Sequence, residues 1–224
     1  MGGAVTAPPD FLLLEDKMLQ YRTIMQEGRA EFTERRSRFI GYVKPVAEEQ
    51  DAVDFINQIK NRHWDATHNV YAYILRENNI QRYSDDGEPQ GTAGMPVLDV
   101  IRKEEITDCV VVVTRYFGGI LLGGGGLVRA YSHGSKIALD AGGIVTMSLC
   151  ILGNVVCDYQ FYGRLSSMIP EMGGKITDTV FESDVNVSFL IKKEVSDNFD
   201  KKLMDYSNGR YHLQILGEKY DSMD

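Results

Sequence analysis

The chain has no apolar run approaching the roughly 18 residues that a membrane-spanning helix needs. Cysteine is scarce. Cys109, Cys150 and Cys157 show no Cys-x-x-Cys spacing, and each sits in a strand-like apolar run. That favours buried free thiols in a reducing, cytoplasmic compartment over a disulfide or a metal site. Excess positive charge is missing too. Residues 1–146 carry 16 basic against 20 acidic side chains, residues 147–224 carry 8 against 12, and the net charge is −8. No part is globally basic, which argues against indiscriminate coating of nucleic acid. A Walker A loop is absent, because no Gly-Lys-Ser/Thr closes the glycine-rich stretch. Gly-x-Gly-x-x-Gly is not in register, and no Ser-His-Asp or Cys-His set rides on a nucleophile-elbow turn. Residues 1–17 open with MGGAVT, which fits the loose myristoylation pattern, but no polybasic second anchor follows. They are read as a disordered lead or an appended segment, with Met18 as the natural start.

What is present concentrates in one place. Val110 to Val113 form a buried-strand run that delivers Arg115 and Tyr116 to a glycine-dense turn (Gly118, Gly119 and 123–126). A helix is expected directly after, with Arg129 in its first turn. Helix N-termini present unpaired backbone N–H groups and partial positive charge, and glycines let a phosphate approach the backbone. Arginine adds forked donors that match phosphate oxygens. Arg115, Tyr116, Gly118, Gly119, Gly125, Gly126 and Arg129 are therefore the phosphate- or nucleic-acid-binding candidates. His133 and Lys136 extend them as a basic ridge at helical spacing, a pattern that a solvated charged face shares. The stripe expected to be buried is Leu127, Ala130, Tyr131, Gly134, Ala138 and Ala141.

A second cluster lies in the polar loop over 84–94. Asp85, Asp86 and Glu88 around Gly87 have the chemistry to hold magnesium against a bound phosphate, and equally the composition of a plain turn, with Thr92 capping the next helix. His68, just before a strand, is a candidate general base or a hydrogen-bonded loop histidine. His63, Trp64 and His212 read as structural. No resident cofactor is expected.

The periodicities predict an α+β protein. A hairpin over 29–46, a helix over 51–62, strands over 69–75 and 80–83, and a helix from Pro96 precede the valine strand and a long helix to 140. Then come a strand (151–159), a helix (163–172), two strands (175–181 and 185–191), a helix (195–206) and a strand (211–216). That βαββαβ series is the ferredoxin-like order. The expected domains are 18–146 and 147–224.

Four blocks in this order, SRFIGYVKPV (37–46), DATHNVYAY (65–73), YSDDGEPQGTAGMPVL (83–98) and RYFGG with GGLVRAY (115–131), resemble the IMPACT/YigZ family, in its bacterial two-domain branch. The resemblance implies a first domain with the βαβ fold of the ribosomal-protein domain 2 superfamily, and a ferredoxin-like second domain similar to one in elongation factor G. The family pattern falls on His68, Asp85, Asp86, Gly87, Glu88, Gly91, Thr92, Gly94, Arg115, Tyr116, Gly118, Gly119, Gly125, Gly126, Arg129 and Tyr131. Two positions depart from it. Leu121 stands where the family usually has lysine, removing a cation, and Val70 stands where it has cysteine, excluding a thiol role. Eukaryotic relatives are implicated in translational control under amino-acid starvation, through a regulator of the starvation kinase and with an RWD domain not seen in this sequence. The expected function is a cytosolic RNA- or ribosome-binding protein that regulates translation, with Tyr83, Tyr116 and Phe117 free to stack on bases and a translation-regulatory protein as a further partner. The alternative is a magnesium-dependent enzyme on a small phosphorylated or nucleotide substrate, with Arg115 and Arg129 clamping phosphate and His68 as base. A protein-interaction adaptor is the third reading.

Overall fold

The computed structural model describes residues 18–223, so the expectation for residues 1–17 lies outside the described residues. The chain divides into two compact units, Gln20–Met147 and Ser148–Met223, residues 18 and 19 belonging with the latter. Each is an α+β unit built on an antiparallel sheet.

In the first unit, β1 (Gln20–Ile24) contributes Ile24 to the core. β2 (Gly28–Glu34), β3 (Ser37–Pro45), β4 (His68–Leu75), β5 (Ile80–Ser84) and β6 (Cys109–Tyr116) form a sheet of order β2-β3-β6-β4-β5. Every neighbouring pair is antiparallel. Strand β6 is central and covered on both faces, which is why valines run through it without polar alternation. Val111 and Val113 pack in the cluster that holds residues of α2 (Gly94–Lys103) and α3 (Gly124–Gly142). Val110 and Val112 pack with Ala52, Phe55, Ile56 and Ile59 of α1 (Glu49–Arg62). Arg115 follows Val113 in strand parity, and Tyr116 follows Val112, so these neighbours face opposite layers.

Helix α3 begins earlier than its sequence suggested. The Leu127 amide donates to the Gly123 carbonyl (2.9 Å), so Gly124, Gly125 and Gly126 form the first turn and Arg129 falls in the second. Its buried stripe includes Ser135, Leu139 and Gly142 rather than Ala141, which is exposed. The cause is backbone contact: a Cβ added at Gly28 would meet the Gly142 nitrogen at 2.3 Å, so this part of α3 lies against β2 through glycine.

The second unit contains β7 (Ile144–Cys157), α4 (Tyr159–Glu171), β8 (Lys175–Phe181), β9 (Val185–Lys192), α5 (Lys193–Ser207) and β10 (Gln214–Asp221), and the unit boundary falls inside β7. Its strands run β10-β7-β9-β8 with every pair antiparallel, in a five-stranded sheet in which β1 also neighbours β7. Ile151, Val155, Val187 and Phe189 pack against Leu165, Ile169, Phe199 and Leu203. Helix α4 starts four residues before its expected start because the Asp158 carboxylate accepts from the Phe161 amide (2.8 Å), an N-cap bond. Strand β10 starts and ends later than expected. Its pairing with β7 runs through Gly217, the irregularity absorbed between Ile215 and Gly217.

All three cysteines are buried and free, and burial pushes the Cys157 thiol up to about 11. Among the described residues no helix is long and apolar enough to cross a membrane.

Candidate functional site

Three segments of the first unit converge at one end of its sheet. They are the 84–94 loop, the end of β6, and the glycine segment leading into α3. Between them lies a cleft of about 410 Å³, whose walls include Thr67, His68, Glu88, Arg115, Phe117 and Gly124. Strand register sets its floor. His68 on β4 and Phe39 on β3 both pair across from Arg115 on β6, so the three form one row on the α2/α3 face.

Glu88 is the hub beneath the cleft. Arg115 Nη1 donates to its Oε1 at 2.6 Å, and the Tyr131 hydroxyl donates to the same oxygen at 2.7 Å. Both acid and guanidinium are buried, at 8 % and 4 % exposure. Burial pushes the Tyr131 phenol well above its usual range, and the adjacent Glu88 charge adds to it. A second donor of Arg115, Nη2, reaches Ser37 Oγ at 3.4 Å, while its Nε has no hydrogen-bond partner among the described residues. His68 Nδ1 lies 2.8 Å from the Asp86 carbonyl oxygen. A carbonyl only accepts, so Nδ1 carries a proton, and in the tautomer with no second proton Nε2 is an acceptor. Nε2 is 3.7 Å from Glu88 Oε1, too far for a hydrogen bond.

Arg115 is thus not the free cation expected at the turn. Its charge is neutralised inside the protein, and it does not converge with Arg129, which lines a separate groove of about 480 Å³ with Phe32, Arg35, Gly126 and His133. Lys136 pairs with Asp140 (2.7 Å) and Glu104 (3.1 Å), so two carboxylates stand beside it on the ridge. His133 remains exposed at the groove, edge-on to Phe32. Tyr116 leaves the site altogether. It lies on the α1 face, where its hydroxyl meets His63 Nδ1 (2.9 Å) and donates to Asp65 (3.0 Å). Tyr83 and Phe117 are exposed as expected, whereas Trp64, read as structural, is 83 % exposed.

The three loop carboxylates diverge instead of meeting on a cation. Asp85 accepts from the backbone amides of Gly91, Ala93 and Gly94 at 2.8, 3.1 and 2.8 Å, and so caps α2 in place of Thr92. Thr92 donates its hydroxyl to the Pro89 carbonyl. Asp86 pairs with Lys60 and accepts from the Asn69 amide, both at 2.7 Å. With Glu88 turned to Arg115, the three do not form a magnesium site. Among the described residues no group of three or more His, Cys, Asp or Glu is placed to hold a metal ion.

Arg35 and Arg36 are further candidates that no local sequence motif singles out. They make the two-residue turn joining β2 to β3, with φ of +44° and +66°. Such turns usually take Asn-Gly, because left-handed backbone is costly for other side chains. The turn packs on the glycine segment: a Cβ added at Gly118 would lie 2.0 Å from the Arg36 carbonyl carbon. Gly119, at φ +83°, continues that segment without close contacts. Arg35 lines the same groove as Arg129. Among the described residues neither Arg36 nor Arg129 has an ion-pair partner, and the Arg35–Glu34 pair is long (3.9 Å) and exposed. The clue available in the sequence was two arginines at a hairpin position that favours Asn and Gly.

The site and fold define a two-domain α+β protein carrying the Impact N-terminal domain, which matches residues 35–139, followed by a domain of unknown function (DUF1949) over residues 155–210. IMPACT family member YvyE of Bacillus subtilis is 37% identical over 195 residues, covering 87% of this chain and 90% of that protein. IMPACT family member YigZ of Escherichia coli is 30% identical over 187 residues, covering 82% and 92%. A crystal structure described as that of a hypothetical protein aligns with a TM-score of 0.56 at 28% identity, over 90% of this chain and all of that one. The chain belongs to the IMPACT family. Within it, the chain is of the bacterial YvyE/YigZ type, with both domains over most of its length.

Proposed function

We propose that this protein is a cytoplasmic RNA- or ribosome-binding protein that regulates translation, gripping phosphates along the face formed by the Arg35–Arg36 turn, the glycine segment and Arg129. The observation that carries the reading is that Arg35 and Arg129 line one groove, Glu34 at its edge pairing only loosely with Arg35 (3.9 Å), with Arg36 next in the turn, on a protein of net charge −8. Phosphate contacts supply most of the non-specific affinity for nucleic acid, and they need local cations rather than a basic protein overall. Phe117, 45 % exposed beside that face, supplies a ring on which a base can stack. The β-α-β-β-α-β order and β10-β7-β9-β8 sheet of the second unit support likeness to a ferredoxin-like translation-factor domain. The first unit supports the ribosomal-protein domain 2 comparison only through its sheet and helix layers. A translation-regulatory protein is a second partner in this reading.

The test is binding of a fluorescein-labelled structured RNA, and cosedimentation with ribosomal subunits, over a range of salt. Affinity should fall linearly with log salt. Replacing Arg35, Arg36 and Arg129 by alanine should reduce the slope by roughly 0.7 to 0.9 for each phosphate no longer neutralised. Equal slopes for wild type and the triple variant would remove this face from the interaction, and no binding to RNA or ribosomes would end the reading.

A further inference from the structure

The cleft at His68 is chemically distinct from the arginine face. Its rim carries an exposed aromatic ring, Phe117, and a helix start, Gly123 and Gly124 of α3, whose first amides have no side-chain cap. Those amides lack intrahelical partners and suit an anionic oxygen. Arg115 lines the same cleft as that helix start, at 4 % exposure, and its Nε has no hydrogen-bond partner among the described residues. Another polar group of the cleft has the opposite need. The Asp86 carbonyl holds a proton on His68 Nδ1, which leaves Nε2 as the acceptor of the uncharged tautomer. Glu88 Oε1 nearby already receives two hydrogen bonds, and the imidazole suits a ligand donating one proton. A volume of about 410 Å³ falls in the range of small-ligand pockets, roughly 300–1,000 Å³.

We propose that this cleft holds one ribonucleotide unit, with the base against Phe117, the phosphate on the first amides of α3, and a ribose hydroxyl donating to His68 Nε2. The 2′-hydroxyl is the group by which a protein distinguishes RNA from DNA at a given position. The cleft therefore acts as the RNA-selecting element of the molecule, while the arginine face supplies sequence- and sugar-blind affinity. The inference rests on the RNA-binding reading where the unit belongs to an RNA chain; a free nucleoside monophosphate offers the same chemistry.

The experiment compares a fluorescein-labelled RNA decamer, the DNA decamer of the same sequence, and free 5′-AMP, against the full chain. Wild type should bind RNA about tenfold more tightly than DNA, roughly the weight of one buried hydrogen bond. His68→Ala should lower affinity for RNA and 5′-AMP but not for DNA, and bring the RNA-to-DNA ratio toward one. Phe117→Ala, at an exposed position that tolerates truncation, should weaken RNA, DNA and 5′-AMP together by severalfold. If wild type binds RNA and DNA equally, or His68→Ala keeps the ratio, the cleft inference falls and the RNA-binding reading survives. If 5′-AMP binds and is weakened by His68→Ala while RNA and ribosomes do not bind, the cleft inference stands in its free-nucleotide form and the RNA reading falls. If none of the probes binds, both fall.

Discussion

Arg115 donates to Glu88 across 27 residues of sequence, and the pair is buried with the Tyr131 hydroxyl on the same carboxylate oxygen. Two opposite charges at the base of a cleft hold each other rather than a ligand. They fix the positions of β6, α3 and the 84–94 loop around it. Removing one partner strands the other in low dielectric, which costs far more than the pair itself contributes.

Glu88→Ala is therefore expected to destabilise the first unit by about 3–5 kcal/mol in urea unfolding. The double replacement Glu88→Leu with Arg115→Met should cost clearly less than either single change. A double variant as unstable as the sum of the singles would show that the pair is not what holds this region.

Asp85→Ala should remove the cap of α2 and cost about 1–2 kcal/mol, with Asp85→Asn costing less. Because its oxygens are occupied by the amides of Gly91, Ala93 and Gly94, added magnesium should leave the thermal midpoints of wild type and variant unchanged. A magnesium-dependent rise in wild type alone would restore the carboxylates as metal ligands.

The Arg35–Arg36 turn trades stability for cation placement. Replacing it with Asn-Gly should raise stability by roughly 1–2 kcal/mol, since Asn and Gly accept the left-handed backbone. The same variant should show a shallower salt slope in RNA binding. Gain of stability with undiminished RNA binding would count against the arginine face.

Gly118→Ala should be destabilising by about 1–3 kcal/mol, because the new methyl collides with the Arg36 backbone and neither segment is a flexible side chain. Faster amide exchange at residues 34–38 would locate the damage at the hairpin turn.

Acid should loosen the second unit through Asp158. The Phe161 amide, the Tyr211 hydroxyl and Arg210 hold its carboxylate below the usual range. A depressed folded value stabilises above the unfolded value near 4, and that contribution is lost as pH falls below it. Asp158→Asn should flatten the pH dependence of stability below about pH 4, read by circular dichroism. An unchanged acid limb would assign it to other carboxylates.

The layers of the fold were legible because burial writes itself into periodicity. Val70, Ala72 and Ile74 alternate with Tyr71 and Tyr73, and Ala52, Phe55, Ile56 and Ile59 repeat at helical spacing. Short β1 was not legible, having little beyond Ile24 to mark it. The start of α4 was misread because Gly163 looked like a boundary while the cap, Asp158, stood ahead of the expected helix. The rotation of α3 depends on the Gly28–Gly142 contact, which no local pattern contains. At the site, the location was readable from glycine density, but the electrostatic assignment was not. Arg115 and Lys136 have partners, Glu88 and Glu104, that only the tertiary fold brings near. Arg35 and Arg36 lie within the expected 29–46 hairpin, and their significance lies in a left-handed backbone that sequence pattern does not show.

One carboxylate, that of Asp85, collects the amides of Gly91, Ala93 and Gly94, so the loop beside the cleft is tied into a closed ring. A ring of that kind has few intermediate shapes: it shifts as a block or stays put. Ligands should meet a wall already in its final form, so association should be fast, with little entropic penalty from loop ordering. Selectivity then comes from rejecting shapes that do not fit, with no closing movement to reward those that do.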